Sequence, residues 1–255
     1  MNIVGIIPAR MASSRFPGKP MADIHGMPMI GHCYLRSRMS KTLSDCWVAT
    51  PDLEIFEYIE SIGGKPLITS HNHEMCNDRV VEAVKKIKKS SGKKIDIVVN
   101  IQGDLPMVFP DMIDDTVKPL TDDSRIKCST MMDKIESIED FLDPNRVKVV
   151  IDLNQNAILL TREPVPSGHK FKEYYPKYKH VAIRAYATDL FSGLARMDMS
   201  PIEKIEGIDD LRLIENDIKI KVVLTERVTE TVDTPQDLEK VIEMMQNDEL
   251  MKDYI

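Results

Sequence analysis

IVGIIPARMASSRFPGKP, residues 3–20, is the stretch whose reading decides the fold. Its first five residues, IVGII, form a continuous apolar run without polar alternation, which predicts a strand buried on both faces of a parallel sheet. A short loop follows, carrying Arg10, Arg15 and Lys19 beside Ser13, Ser14 and Gly18. A tight turn needs glycine and a cap needs serine, but neither needs three cations. One arginine alone would read as a charged surface turn. Three cations at the C-terminal end of a strand, where open α/β sheets bind ligands, predict an anion site. The loop is neither G-x-x-x-x-G-K-[ST] nor G-x-G-x-x-G.

Outward from this stretch the pattern alternates. Helices are expected over 29–41, 51–64 and 77–92, and strands over 45–50, 65–69 and 94–104, which gives an α/β fold with a mainly parallel sheet flanked by helices. After about residue 120 the texture changes. Strands are expected over 125–134, 146–163 and 179–190 with few helices between them, so this part reads as a mixed or antiparallel lobe. Residues 165–179 are aromatic, basic and turn-rich and read as a loop over a site. A helix is expected over 200–217, with Ser200 as N-cap, Pro201 at N1 and Glu203 at N3. A strand over 218–226 and a terminal helix over 233–254 complete the chain. No repeat or linker appears, so residues 1–255 read as one domain: 1–120 and 214–255 as the core, 121–213 as an inserted lobe.

Composition narrows the function classes. The 255 residues are 42% hydrophobic and 29% charged, with net charge −7. That balance argues against general nucleic-acid binding, which needs a basic surface, but leaves room for one basic pocket. Cys33, Cys46, Cys76 and Cys128 have neither C-x-x-C nor zinc-ligand spacing and read as buried free thiols suited to a reducing compartment. The start MNIVGIIPAR lacks the pattern of a signal peptide, and no apolar run approaches the ~20 residues of a membrane helix, so a cytoplasmic protein without membrane insertion is expected.

Two further segments carry chemistry. NIQGDLP (100–106) puts Gln102, Gly103 and Asp104 at the end of another buried strand, where an aspartate can hold Mg²⁺ with phosphate oxygens. A turn capping the next helix is the alternative. TVDTPQDL (231–238) offers Asp233 just before the last helix, where a helix cap alone would explain it.

Together, IIPARMASSRFPGKPMADIHGMPMIGHCY, VVNIQGDLP, DPNRVKVVID and VDTPQDLEKV resemble the 3-deoxy-manno-octulosonate (Kdo) cytidylyltransferases, also called CMP-Kdo synthetases. Their pattern reads P-A-R-x-x-S-x-R-x-P-G-K-P, then V-Q-G-D-E-P, then V-D-T-P-E-D-L, and the likeness runs in order from residue 3 to about 243. The resemblance implies a Rossmann-like fold of the nucleotide-diphospho-sugar transferase type, with residues 121–213 forming an acceptor and dimerisation lobe. It implies a reaction in which CTP and a sugar acid give a CMP-sugar and pyrophosphate, a homodimer, and a place in lipopolysaccharide or surface-glycan synthesis. It implies that Arg10 and Lys19 hold the triphosphate with Arg15 assisting, and that Asp104 and Asp233 coordinate Mg²⁺. It places Ala9, Ser13, Cys76, Asn77, Arg79 and Gln102 at the nucleotide. Gln102, Arg162, His180, Arg184, Tyr186, Asp209 and Asp210 fall at the acceptor.

The departures from the pattern are informative. The family's H-x-S-G-T-[DE]-R reads HEMCNDR (73–79) here, so Met75, Cys76 and Asn77 replace Ser-Gly-Thr and the glycine's close approach to the base is changed. Leu105 replaces the glutamate of Q-G-D-E-P. In R-H-x-G-I-Y-x-Y, here KHVAIRAY (179–186), Ala182 replaces glycine and Arg184 replaces tyrosine. In E-x-L-E-Q-L-R, here EGIDDLR (206–212), Asp209 and Asp210 replace Glu-Gln. Arg162 keeps the family's arginine. Several polar swaps in one presumed pocket predict a modified acceptor: an amino-substituted sugar acid would suit Asp210, and an added acidic group would suit Arg184. A nucleotidyltransferase acting on a phosphonate, a glycosyltransferase and a non-catalytic module are the competing readings. Retention of Arg10, Lys19, Asp104 and Asp233 together argues against the last.

Overall fold

The apolar run that opens the chain becomes β1 (Ile3–Pro8), buried at every residue. The structure is a computed structural model and describes residues 1–73, 75–170, 176–194 and 196–255. It divides into two units, Met1–Asp114 with Val228–Ile255, and Asp115–Arg227.

In the first unit a small antiparallel hairpin, β2 (Asp23–Ile24) and β3 (Met27–Pro28), leads into α1 (Met29–Arg38). Then come β4 (Asp45–Thr50), α2 (Leu53–Ser61), β5 (Pro66–Ile68), α3 (Cys76–Ser91) and β6 (Ile97–Ile101). The strand order is β6-β1-β4-β5, all parallel. Strands β1 and β6 are buried along their whole length, as their unalternating sequences predict. α4 (Pro110–Asp122) follows, and the division between the units falls within it.

The second unit holds β7 (Cys128–Lys134), α5 (Ile138–Leu142), β8 (Lys148–Ile151), β9 (Ala157–Thr161), β10 (Tyr178–Ala187), α6 (Thr188–Leu194), α7 (Pro201–Glu206), α8 (Leu211–Glu215) and β11 (Lys221–Leu224). β7–β10, β10–β8 and β8–β9 are antiparallel and β11 joins β7 in parallel, so the lobe is mixed as expected. Because β11 pairs with β7, residues 214–227 belong with this unit and not with the core to which the sequence pattern assigned them. The helix expected over 200–217 is two helices, separated where Gly207 takes the left-handed conformation at φ 66° and ends α7. Its start has the Ser200–Glu203 capping box. Of the loop over 165–179, residues 171–175 lie outside the described residues.

The chain returns to the first unit with α9 (Pro235–Met245), shorter than the expected 233–254; a 3-10 turn, Glu249–Asp253, follows it. Tyr254 then closes a polar relay against α1. His32 donates from Nε2 to the Ile24 carbonyl at 2.8 Å, so its Nδ1 accepts from the Tyr254 hydroxyl at 2.7 Å. The Tyr254 oxygen in turn accepts from Arg36 Nε at 2.8 Å. Arg36 is fully buried, ion-pairs with Asp248, and lies over the rings of Phe109 and Tyr254. Burial lowers the His32 pKa, consistent with the neutral ring this relay requires.

Candidate active site

The site is built where β1 and β6 end side by side. The cation-rich loop is pinned at three points: Ala9 N–H donates to the Ala49 carbonyl, Met11 N–H to Asp52, and Gly18 N–H to the Met11 carbonyl. Gly18 adopts φ 76°, which a side chain would strain, and its turn starts a short 3-10 segment at Lys19. Beyond β6, Gly103 permits a close approach that no other residue allows. A Cβ there would stand 2.7 Å from the Pro8 carbonyl oxygen. This approach sets Asp104 beside the loop.

The third element is the entry to α9. Thr234 is its N-cap: its hydroxyl accepts from Asp237 N–H, and the Asp237 carboxylate accepts from the N–H groups of Asp233 and Thr234. The cap that would have explained Asp233 is therefore supplied by its neighbour, and Asp233 is left for other work. Val232 N–H donates to the Asp104 carbonyl at 2.9 Å, which ties the two acid-bearing segments together.

All three elements converge on Lys19. Its Nζ donates to Asp104 Oδ2 at 2.7 Å, to the Val232 carbonyl at 2.8 Å and to Asp233 Oδ1 at 3.3 Å. Arg15 reaches the same Asp233 oxygen at 2.8 Å. Burial works against the charge on Lys19, yet the two carboxylates hold its pKa above the usual lysine value.

A cavity opens beside this cluster, lined by Ala9, Arg10, Ser13, Arg15, Lys19, Cys76, Arg79, Gln102, Asp104 and Asp233 among others. All but one of the nucleotide-side candidates thus share one cavity in the first unit. The exception is Asn77, which is buried and accepts from the Asn100 side chain at 3.0 Å. Cys76 is not the buried thiol expected from its spacing. It is half-exposed at the first turn of α3, with Sγ 3.6 Å from Gln102 Oε1. The start of α3 gives this wall a positive dipole end suited to an anion. Arg79 spends its guanidinium on Thr69, on the Ser70 carbonyl and on the His73 carbonyl, so it holds the loop that Arg10 also touches through His73.

His73 was read only as the matching first residue of HEMCNDR (73–79), and Glu82 was not singled out by sequence. The His73 ring meets Glu82 at 2.5 Å, and Glu82 also takes Lys86 and the Ser70 N–H. Partial burial opposes the Glu82 charge, but these donors bring its pKa down to about 2. For Glu82 the i,i+4 spacing with Lys86 on α3 was the only hint in the sequence.

The acceptor-side candidates other than Gln102 lie in the second unit. Arg184 Nε donates to Asp210 Oδ2 at 2.6 Å, and the Tyr186 hydroxyl donates to Asp210 Oδ1 at 3.2 Å. Thr130 donates its hydroxyl proton to the Ile183 carbonyl and so accepts from His180 Nε2 at 2.7 Å, with Asp210 3.6 Å from the same nitrogen. The side chains of Arg184 and Asp210 are 8% and 1% exposed. The two substitutions are therefore one change: a buried cation and a buried carboxylate that answer each other. The expectation of an Asp210 carboxylate open to an amino group is corrected on this point, since both its oxygens are already engaged. Asp209 adds its field to Arg184 from the neighbouring position and is also buried. Arg162 is held apart from this cluster, bonded to Glu206 and to the Pro144 carbonyl.

A cavity walled by cations beside a parallel sheet, with one carboxylate just beyond the end of β6 and a second at the entry to α9, defines the class: an α/β nucleotidyltransferase. The sequence profile of the family described as Cytidylyltransferase matches residues 4–220. The 3-deoxy-manno-octulosonate cytidylyltransferase of Geobacter metallireducens is 40% identical, covering 96% of this chain and 98% of that protein. The protein of the same name from Geobacter sulfurreducens is 39% identical, covering 96% and 100%. A solved CMP:2-keto-3-deoxy-manno-octonic acid synthetase in complex with CTP superposes with TM-score 0.88 at 35% identity, covering 96% of this chain and 98% of the other. The chain belongs to the cytidylyltransferase family. Among the described residues, no helix is long and apolar enough to cross a membrane.

Proposed function

We propose that this enzyme transfers CMP from CTP to a Kdo-like 3-deoxy-ulosonic acid and releases pyrophosphate. The observation that carries the reading is the convergence of Lys19, Asp104 and Asp233 at the cavity, together with the relatives' shared activity over nearly the whole chain. In-line transfer to the α-phosphorus needs positioning and charge neutralisation more than covalent help. Arg10, Arg15 and Lys19 bind the triphosphate, and Lys19 strengthens its contact as charge builds on the departing pyrophosphate.

The donor set suits Mg²⁺: two carboxylates within hydrogen-bond reach of one ammonium, all oxygen, with phosphates to complete the shell. Asp104 and Asp233 would hold the ion, and when bound it supplies further neutralisation of the phosphates. The Arg184–Asp210 pair is internally neutral, so it gives no charge-based reason to require an amino group on the acceptor. The proposal includes a homodimer formed through the second unit, supported by the exposed apolar side chains of Ile138, Leu142, Ile158, Ile202 and Ile205; light scattering tests it.

The test of function is pyrophosphate release with each of four nucleoside triphosphates against Kdo, its 8-amino analogue, other sugar acids and phosphonates, with and without Mg²⁺. CTP with a 3-deoxy-ulosonic acid should give the highest kcat/KM. A phosphonate used in preference to every sugar acid would overturn the acceptor reading.

A further inference from the structure

We propose that Lys19 and a divalent cation are alternative occupants of the same carboxylate pair, so that metal enters the site only as the triphosphate draws Lys19 away. The inference rests on reading Asp104 and Asp233 as the metal carboxylates. Its support is the coordination of the ammonium. An ammonium has three N–H donors, and Lys19 directs them at three acceptors: Asp104, the Val232 carbonyl and Asp233. The side chain is only 13% exposed, so water does not stand in for a missing partner. To contact a phosphate, Lys19 must give up at least one of these oxygens.

The converse also holds. A doubly charged ion on Asp104 Oδ2 and Asp233 Oδ1 would face an ammonium 2.7 and 3.3 Å from those same atoms. Like charges that close in a half-buried site repel strongly, so the two cations exclude each other. In the nucleotide-free protein Lys19 and Arg15 together offset the two acids, Arg15 at Asp233 from a side chain that is 47% exposed. A triphosphate offers Lys19 a new anionic partner and releases the carboxylates. Metal and nucleotide affinity are then linked through one side chain, and linkage of this kind is reciprocal.

The experiment is a titration of nucleotide-free protein with Mn²⁺, following free ion by electron paramagnetic resonance. Lys19→Met and Lys19→Gln should bind Mn²⁺ about tenfold more tightly than the wild type, within the usual range of two-site coupling. Adding Asp104→Asn to Lys19→Met should abolish the gain. Arg10→Met removes a cation from the same cavity and should change Mn²⁺ affinity less than about threefold, because its influence on the carboxylates is longer-range and screened. Thermal unfolding checks that each variant is folded, and the two Lys19 replacements give independent chances of a folded one. If folded Lys19 variants bind Mn²⁺ no better than wild type, or Arg10→Met matches them, the exclusion is wrong. Should wild type with CTP still bind Mn²⁺ through Asp104 in that event, the metal reading survives and only this inference falls. If Asp104→Asn leaves Mn²⁺ binding unchanged with and without CTP, the metal reading fails and this inference with it.

Discussion

Replacing Asp210 by asparagine keeps the volume of the side chain and removes its charge. Arg184 is then left buried, with a neutral amide in place of the carboxylate that stood 2.6 Å from its Nε. Breaking a buried ion pair by removing one member costs roughly 3–5 kcal/mol, because the remaining charge is stranded. Arg184→Met should cost a similar amount by stranding the carboxylate. Replacing both, as Arg184→Met with Asp210→Leu, should return most of the loss, since apolar substitutes for a buried pair are close to neutral. At about 2–4 °C per kcal/mol for a chain of this length, each single variant should lose on the order of 10 °C in Tm. The measurement is a double-mutant cycle of Arg184→Met, Asp210→Leu and the two together, by urea and thermal unfolding, with Asp210→Asn as a separate isosteric single variant. Far-UV circular dichroism is the right probe. The chain's one tryptophan, Trp47, lies in β4 of the first unit and reports on that unit, whereas the pair lies in the second. Additive single losses, or single losses below about 1 kcal/mol, would refute the view that the two substitutions are one coupled change.

Asp104→Asn should abolish turnover while leaving Tm within a few degrees, because a neutral amide is a poor Mg²⁺ ligand of nearly the same size; full activity with Mg²⁺ would remove Asp104 from the mechanism. Burial and the nearby Arg184 cation bring His180 down to about 4 against the pull of Asp210. Unfolded, the same ring titrates near 6.5, so between those values the unfolded chain binds the extra proton. The stabilisation from His180 is complete above about pH 6.5 and is lost as pH falls toward 4; urea midpoints at pH 7 and pH 5 that do not differ between wild type and His180→Gln would contradict this. Tyr254→Phe removes the acceptor of Arg36 and the donor to His32, and leaving such buried groups unpaired should cost about 1–3 kcal/mol, read as a fall in urea midpoint without loss of kcat.

The nucleotide half of the site was legible because its residues are carried by segments with strong local signals. Unalternating apolar runs ending in turns place Arg10, Arg15, Lys19 and Asp104 at strand ends whatever the remainder of the chain does. Asp233 was ambiguous, since an aspartate before a helix caps it as readily as it binds anything else; only the Thr234–Asp237 box resolves this. The acceptor side was less legible. Nothing local shows that Arg184 on β10 and Asp210 before α8 meet, so each was read singly as a contact to substrate. α4 escaped the pattern because Pro119 lies inside it, a residue that ordinarily ends a helix. β11 was assigned to the core because pairing between distant strands leaves no trace in either strand's own sequence.

The placement of Asp233 also has a temporal side. The ammonium of Lys19 and the carboxylate it shares are 214 residues apart in the chain. During synthesis the first 114 residues leave the ribosome with the cation loop and Asp104, and the whole of 115–227 must follow before Val228–Ile255 delivers the second acid. At translation rates of about 5–20 residues per second, that interval lasts several seconds or longer. Throughout it the nascent first unit lacks α9 and has a strand-end loop bearing three cations with only one of its two acids. A chain released before residue 228 would lack the second acid and the helix whose entry carries it, so catalytic competence waits for residues 228–255 and is not gained by degrees as the chain emerges.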